Sequence, residues 1–220
     1  MLRRRISPGA IACFTTREWG NLASQVAHDP AELVANRARL TAELGELAWM
    51  TEVHGTNVIV VDEPGERGDA DGLVVHAPGL SPAVIMADCL PLLLANETGS
   101  VRAAVHIGRR GLVDGVVPEA LRVIRELTDE QVYGVIGPSI CGGCYEVSAE
   151  LSEEAAAVHG AATTRWGTPS IDLAAGVRNQ LDGVSYSEID ICTFESEQLF
   201  SYRRDAVTGR FAGIAVLDTP

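Results

Sequence analysis

A succession of short apolar runs, at residues 49–54, 57–62, 72–76, 83–87, 92–95 and 101–106, constrains this chain more than any other feature. The runs are rich in Val and Ile and are separated by Gly, Pro and Asp. That length, composition and punctuation is how strands read, so a sheet must form the heart of the fold. Further strands are predicted at 133–140, 188–193 and 211–217.

Helices punctuate this pattern. One should begin at Asp29-Pro30-Ala31-Glu32, where Asp29 caps, Pro30 suits the first turn and Glu32 can complete a capping box. Leu33, Leu40, Leu44 and Leu47 then fall near one face, and Gly45 marks the end. A second helix is expected over 112–127, with Pro118 either in its first turn or splitting it. Two more are expected at 150–159 and 173–181. Strands and helices mix without a regular βαβ rhythm, and no Gly-x-Gly-x-x-Gly fingerprint opens a helix. The reading is an α+β fold: one domain over residues 1–220, layered, with a mixed β-sheet core flanked by helices.

Several functions are excluded by composition. Net charge is −13, which disfavours nucleic acid as a partner. The longest apolar runs are strand-length, so no membrane span is expected. The basic start is broken by Pro8 and Gly9, which argues against a signal peptide and for a cytoplasmic protein. All 17 basic residues are arginine, so a lysine Schiff base, a lysine nucleophile and a P-loop lysine are ruled out. The cysteines number five, an odd count that favours free thiols over a disulfide framework. Cys141-Gly-Gly-Cys144 has the spacing of a redox or zinc pair, but the sequence offers no second such pair to complete a structural site.

Three residues at expected strand ends carry the chemistry: His54, Cys89 and His106. Two imidazoles and a thiolate hold zinc with its fourth position open, the catalytic arrangement, and zinc lowers the pKa of a bound water to about 7. A metal-free alternative uses the same residues, with Cys89 as nucleophile and His106 or His54 as its base. Glu52, two residues before His54, and Asp88, beside Cys89, are candidate proton carriers if Pro91 bends the chain. Arg109-Arg110 and Arg203-Arg204 suit phosphate or carboxylate. His28, His76 and His159 read as surface or loop residues without a role.

At these residues the sequence resembles the YfiH-like laccase-domain family, whose members are labelled polyphenol oxidase, purine nucleoside phosphorylase or peptidoglycan editing factor. The likeness runs from about Thr15 to Leu217. It is carried by Thr15-Thr-Arg17, Asn36-Arg37, Val53-His-Gly55, Ala70-Asp71, Ala87-Asp-Cys-Leu-Pro91, His106 with Gly108 and Arg110-Gly111, Gly137-Pro138, Cys144-Tyr-Glu-Val147, Asp172-Leu173, Cys192-Thr193, Phe200-Ser-Tyr-Arg-Arg-Asp205 and Thr208-Gly-Arg210. The resemblance implies that His54, Cys89 and His106 are a zinc-binding catalytic triplet. It further implies phosphorolysis of adenosine, inosine, guanosine and methylthioadenosine, and deamination of adenosine. Phosphate would then need a clamp, for which Arg17, Arg110 and Arg203 are the candidates. The chain departs from the family pattern at Glu52, Arg109 and Cys141, and in the short loop Glu18-Trp-Gly20.

Other functions share these motifs. An amide hydrolase editing peptidoglycan precursors would use the same zinc, and a non-catalytic binding relative remains an alternative. A copper-dependent polyphenol oxidoreductase is disfavoured, because a multicopper centre needs about ten histidines and the chain has five.

Overall fold

The computed structural model describes residues 1–26 and 29–218; His28 lies outside the described residues. In chain order these residues form β1 (Leu2–Ser7), β2 (Ala10–Phe14), α1 (Pro30–Leu44), β3 (Glu46–Thr51), β4 (Val58–Val61), β5 (Gly65–Asp69), β6 (Gly72–Val75), β7 (Leu80–Met86), β8 (Leu90–Asn96) and β9 (Arg102–Ile107). There follow α2 (Arg109–Asp114), α3 (Val116–Leu127), β10 (Val132–Ile136), α4 (Ala149–Ala156), β11 (Ala161–Thr163), β12 (Pro169–Ile171), α5 (Leu173–Gln180), β13 (Ser185–Glu188), α6 (Tyr202–Asp205) and β14 (Phe211–Leu217).

The strands build two six-stranded mixed sheets and a small β11–β12 hairpin. The first sheet runs β1-β2-β14-β7-β3-β5 and the second β13-β10-β8-β9-β6-β4. Parallel pairs (β7–β3, β3–β5, β6–β4 and β10–β13) sit beside antiparallel ones. The layering follows from side-chain alternation. Every residue of β8 is buried: Leu90, Leu92 and Leu94 join a core with Leu112 of α2, Val117, Ala120 and Ile124 of α3, and Val177 of α5. Leu93 and Ala95, on its other face, join Phe14, Met50, Val84 and Met86 in the core between the sheets. The outer face of the first sheet presents Trp49, Ile85 and Ile214 to Leu40 of α1. The fold is therefore α+β as expected, with two stacked mixed sheets between helical layers.

Helix boundaries follow local chemistry. Asp29 accepts the Ala31 N–H at 2.8 Å and Pro30 opens α1, a cap worth about 1 kcal/mol. Leu47, expected on that helix, is instead in β3, because Gly45 (φ 85°) has already turned the chain. The expected 112–127 helix is split. Gly115 at φ 93° ends α2 and begins α3, and Pro118 falls in the first turn of α3.

Strand β3 ends at Thr51, so His54 is in the following turn and not at a strand end. The strand expected at 188–193 is β13, displaced to Ser185–Glu188. Strands β1, β2 and β5 lie outside the expected runs. His76 and His159 are exposed.

Candidate metal centre

The sheets bring the three expected residues together at one rim. His106 is buried near the end of β9, Cys89 is half-buried in the tight link between β7 and β8, and His54 is exposed in the turn after β3. One ligand atom from each lies within 4.8 Å of the others. Cys89 Sγ is 3.8 Å from His54 Nε2, and the imidazoles meet edge-to-face with centroids 4.8 Å apart. Ordinary zinc–nitrogen and zinc–sulfur bond lengths give a tetrahedral edge of about 3.5 Å. The donor set and its spacing therefore fit zinc.

Asp71 assembles this geometry. Its carboxylate accepts the backbone N–H groups of His54 (2.8 Å) and Gly55 (2.6 Å) and lies 2.8 Å from His106 Nδ1. Its carbonyl accepts the His106 N–H at 2.8 Å. One fully buried carboxylate thus aims His106 Nε2 outward and holds His54 at φ 60°, a left-handed conformation that costs a non-glycine residue about 1–3 kcal/mol. An acceptor on the second ring nitrogen is what orients a ligand histidine. Asp71 was not expected as a site residue. The available signal was a carboxylate immediately before the apolar run 72–76.

The bend at Cys89 occurs at Asp88 (φ 94°), ahead of Pro91, which lies within β8. The Asp88 carboxylate accepts Thr193 Oγ1–H (2.6 Å) and the Arg203 N–H (2.7 Å), and its carbonyl accepts the Ile140 N–H (3.0 Å). These three bonds hold the bend. Gly108 completes the packing: a β-carbon there would stand 2.6 Å from His54 Cδ2 and 3.6 Å from Cys89 Sγ.

Burial works against ionising the Cys89 thiol, but the adjacent imidazoles of His106 and His54 outweigh it and bring its pKa down to about 6. Burial likewise opposes a charged His106, yet the Cys89 sulfur and the Asp71 carboxylate raise it to about 10. Burial also opposes a charged Asp71, while the His106 hydrogen bond and the two N–H donors carry its pKa below the usual carboxylate range. Both shifts favour a thiolate beside an imidazolium.

A cavity of about 360 Å³ opens beside the centre, walled by Glu52, Ile85, Met86, Tyr202 and Arg210 together with the three donors. Glu52 is half-buried, and its Oε1 accepts the Ile85 N–H at 2.9 Å. Burial raises its carboxyl to about 7 against the opposing pull of His106.

The three expected arginines are spread apart. Arg17 pairs with Asp205, donates to the Leu199 carbonyl and helps wall a different cavity. Arg110 reaches Asp114 on the exposed side of α2. Arg203 donates to the Glu146 carbonyl (2.6 Å) and lies over the Tyr145 ring. Arg210, which does wall the cavity beside the centre, was not expected.

A layered two-sheet fold presenting an open His–Cys–His donor set beside a cavity defines the class of this protein. The chain belongs to the family described as multi-copper polyphenol oxidoreductase laccase, whose model matches residues 12–218. It is 44% identical to a Streptomyces coelicolor protein named purine nucleoside phosphorylase, covering 96% of each chain. It is 35% identical to Escherichia coli YfiH, which bears the same enzyme name, over 93% of this chain and 92% of that one. Among solved structures, a DUF152-family protein of Neisseria meningitidis superposes with a TM-score of 0.84 at 27% identity, over 99% of both chains. No described helix is long and apolar enough to cross a membrane.

Proposed function

We propose that this protein, working as one domain, is a zinc-dependent purine nucleoside enzyme of the cytoplasm, cleaving nucleosides with phosphate and deaminating adenosine. The observation that carries the proposal is the convergence of His54, Cys89 and His106 within 4.8 Å at the mouth of a cavity. The enzyme name of the Streptomyces and E. coli relatives supports the nucleoside as substrate. The cavity volume falls in the range of small-molecule sites, about 300–1,000 Å³.

His54, Cys89 and His106 would hold the metal. A zinc ion so bound supplies acidified water at neutral pH, suited to an electron-poor purine carbon. Zinc is preferred over copper because the donors are a thiolate and two imidazoles, and five histidines cannot furnish a multicopper centre. Asp71 keeps the His106 proton on Nδ1 and so leaves Nε2 to the metal. Glu52 is the proton carrier: it walls the cavity, is anchored by the Ile85 N–H, and its pKa near neutrality lets it accept or return a proton.

Phosphate requires a fork of N–H donors. Of Arg17, Arg110 and Arg203, the best placed is Arg203, whose backbone is bound to the residue before Cys89. Arg210 from the cavity wall is a second donor.

The test is metal analysis of the purified protein paired with a nucleoside panel, each nucleoside incubated with and without phosphate. The expected outcome is inosine from adenosine in either buffer and free base only with phosphate. A protein that carries zinc yet alters no purine, while cleaving a muropeptide precursor, would overturn the nucleoside assignment in favour of amide hydrolysis.

A further inference from the structure

A second group of donors lies outside this centre. Cys141 and Cys144 stand three residues apart on one turn, closed by the Cys144 N–H donating to the Cys141 carbonyl at 2.9 Å. Cys192 and Glu195 repeat the arrangement on another turn, closed by the Glu195 N–H donating to the Cys192 carbonyl at 3.2 Å. The turns face each other. The Cys141 N–H donates to Cys192 Sγ at 3.4 Å, and Ser139 bridges to Cys192 in parallel β fashion. One ligand atom from each of the four residues lies within 4.8 Å of all the others.

Two pairs of donors at three-residue spacing, on opposed tight turns, form the frame of a closed tetrahedral zinc site. Three sulfurs select a soft cation, and a backbone N–H aimed at a sulfur stabilises its thiolate. Four anionic ligands exceed the charge of a dication. Arg165 offsets this: its Nη1 and Nη2 pair with both carboxylate oxygens of Glu195, and Nη2 lies 3.8 Å from Cys141 Sγ. The sequence lacks a second Cys-x-x-Cys pair; the fold supplies Cys192 and Glu195 in its place.

We propose that Cys141, Cys144, Cys192 and Glu195 form a second, closed, zinc-type metal site that clamps together the two loops bracing Cys89. Ile140 and Thr193, each adjacent to a ligand, are the residues that hold the carbonyl and carboxylate of Asp88. Arg204 gathers the carbonyls of Thr193 (2.7 Å) and Ser196 (2.9 Å), so the second turn is already shaped for the ion. Any thiol proton leaves for solvent as the ion enters. With four protein donors there is no open position, and the site is structural.

The test uses full-length Cys89→Ala protein, which lacks the thiolate of the first centre, stripped of metal and titrated anaerobically with Co²⁺. The expected result is one tight equivalent with the intense near-ultraviolet absorption of several thiolate–cobalt bonds, displaced by Zn²⁺. Adding Cys192→Ser should weaken the band by about a third and the affinity at least tenfold, and Glu195→Gln should weaken affinity about tenfold with the band intact. In case Cys192→Ser does not fold, Cys89→Ala alone is decisive: Zn²⁺ should shield three thiols from a thiol reagent until a chelator is added. No thiolate–cobalt band at one equivalent, or equal thiol reactivity with and without Zn²⁺, would overturn the proposal. Because Cys89 is absent throughout, these outcomes are independent of the nucleoside enzyme.

Discussion

His54, Cys89 and His106 are delivered by three separate segments, and two non-glycine residues there, His54 and Asp88, sit in left-handed backbone. Cys141, Cys144, Cys192 and Glu195 are delivered by two ordinary turns, none of whose ligands has a positive φ. The first group faces a cavity of about 360 Å³ and the second borders a smaller one of about 240 Å³ through Cys141 and Cys192; both range from exposed to buried, and the second is countered by Arg165. Left-handed backbone occurs at the group proposed to keep a fourth position open, and none of the ligands proposed to fill a tetrahedron adopts it. On the proposed assignments, the contrast separates a centre that does chemistry from one that ties loops, although both use cysteine.

Cys89→Ala breaks the comparison most severely. It should remove one metal per chain, measured by mass spectrometry, and lower turnover by about a hundredfold or more, with the second metal retained. Loss of both metals would show that the centres are not independent. Asp71→Asn comes next, because it removes the acceptor that aims His106; metal affinity or turnover should fall about 10- to 100-fold. Gly108→Ala should lower turnover about tenfold by pushing the His54 ring aside, with an unchanged fold by circular dichroism.

Cys192→Ser sharpens the contrast from the other side. It should lower the melting temperature by about 5 °C while turnover falls less than tenfold, since Asp88 keeps its other hydrogen bonds. Glu52→Gln should lower turnover about a hundredfold by removing the proton carrier, and its smallest effect is on stability. In chelator-stripped protein the Glu52 pKa is raised in the fold from 4.5 to about 7, so the unfolded chain loses this proton first. Stability should therefore decline as pH rises from about 4.5 to 7 and level off above, and Glu52→Gln should remove that slope in urea titrations.

Legibility of the fold in the sequence followed position in the sheets. Strand β14 matched its predicted bounds, and β7, β8 and β9 were found because central strands are buried on both faces and read as unbroken apolar runs. The misses are mostly edges. Strand β1 exposes Arg3, Arg4 and Arg5, β5 is Gly-Glu-Arg-Gly-Asp, and β13 is Ser-Tyr-Ser-Glu. Edge strands carry charge to deter pairing with other chains, and that charge hides them from an apolar pattern.

The site divided similarly. His54, Cys89 and His106 were visible as residue types before turns. Asp71 acquires its meaning only when β6 pairs with β9 and its carboxylate comes to His106. Cys192 and Glu195 became partners of Cys141 and Cys144 only through folding across some fifty residues.

The central claim, that His54, Cys89 and His106 hold one open-sided zinc ion, is tested most directly by anomalous diffraction from crystals of the purified protein, recorded above and below the zinc edge. A difference peak about 2.0–2.3 Å from Cys89 Sγ and from one nitrogen of each histidine is the predicted result. A protein that turns over its nucleoside with no peak at that position would contradict it.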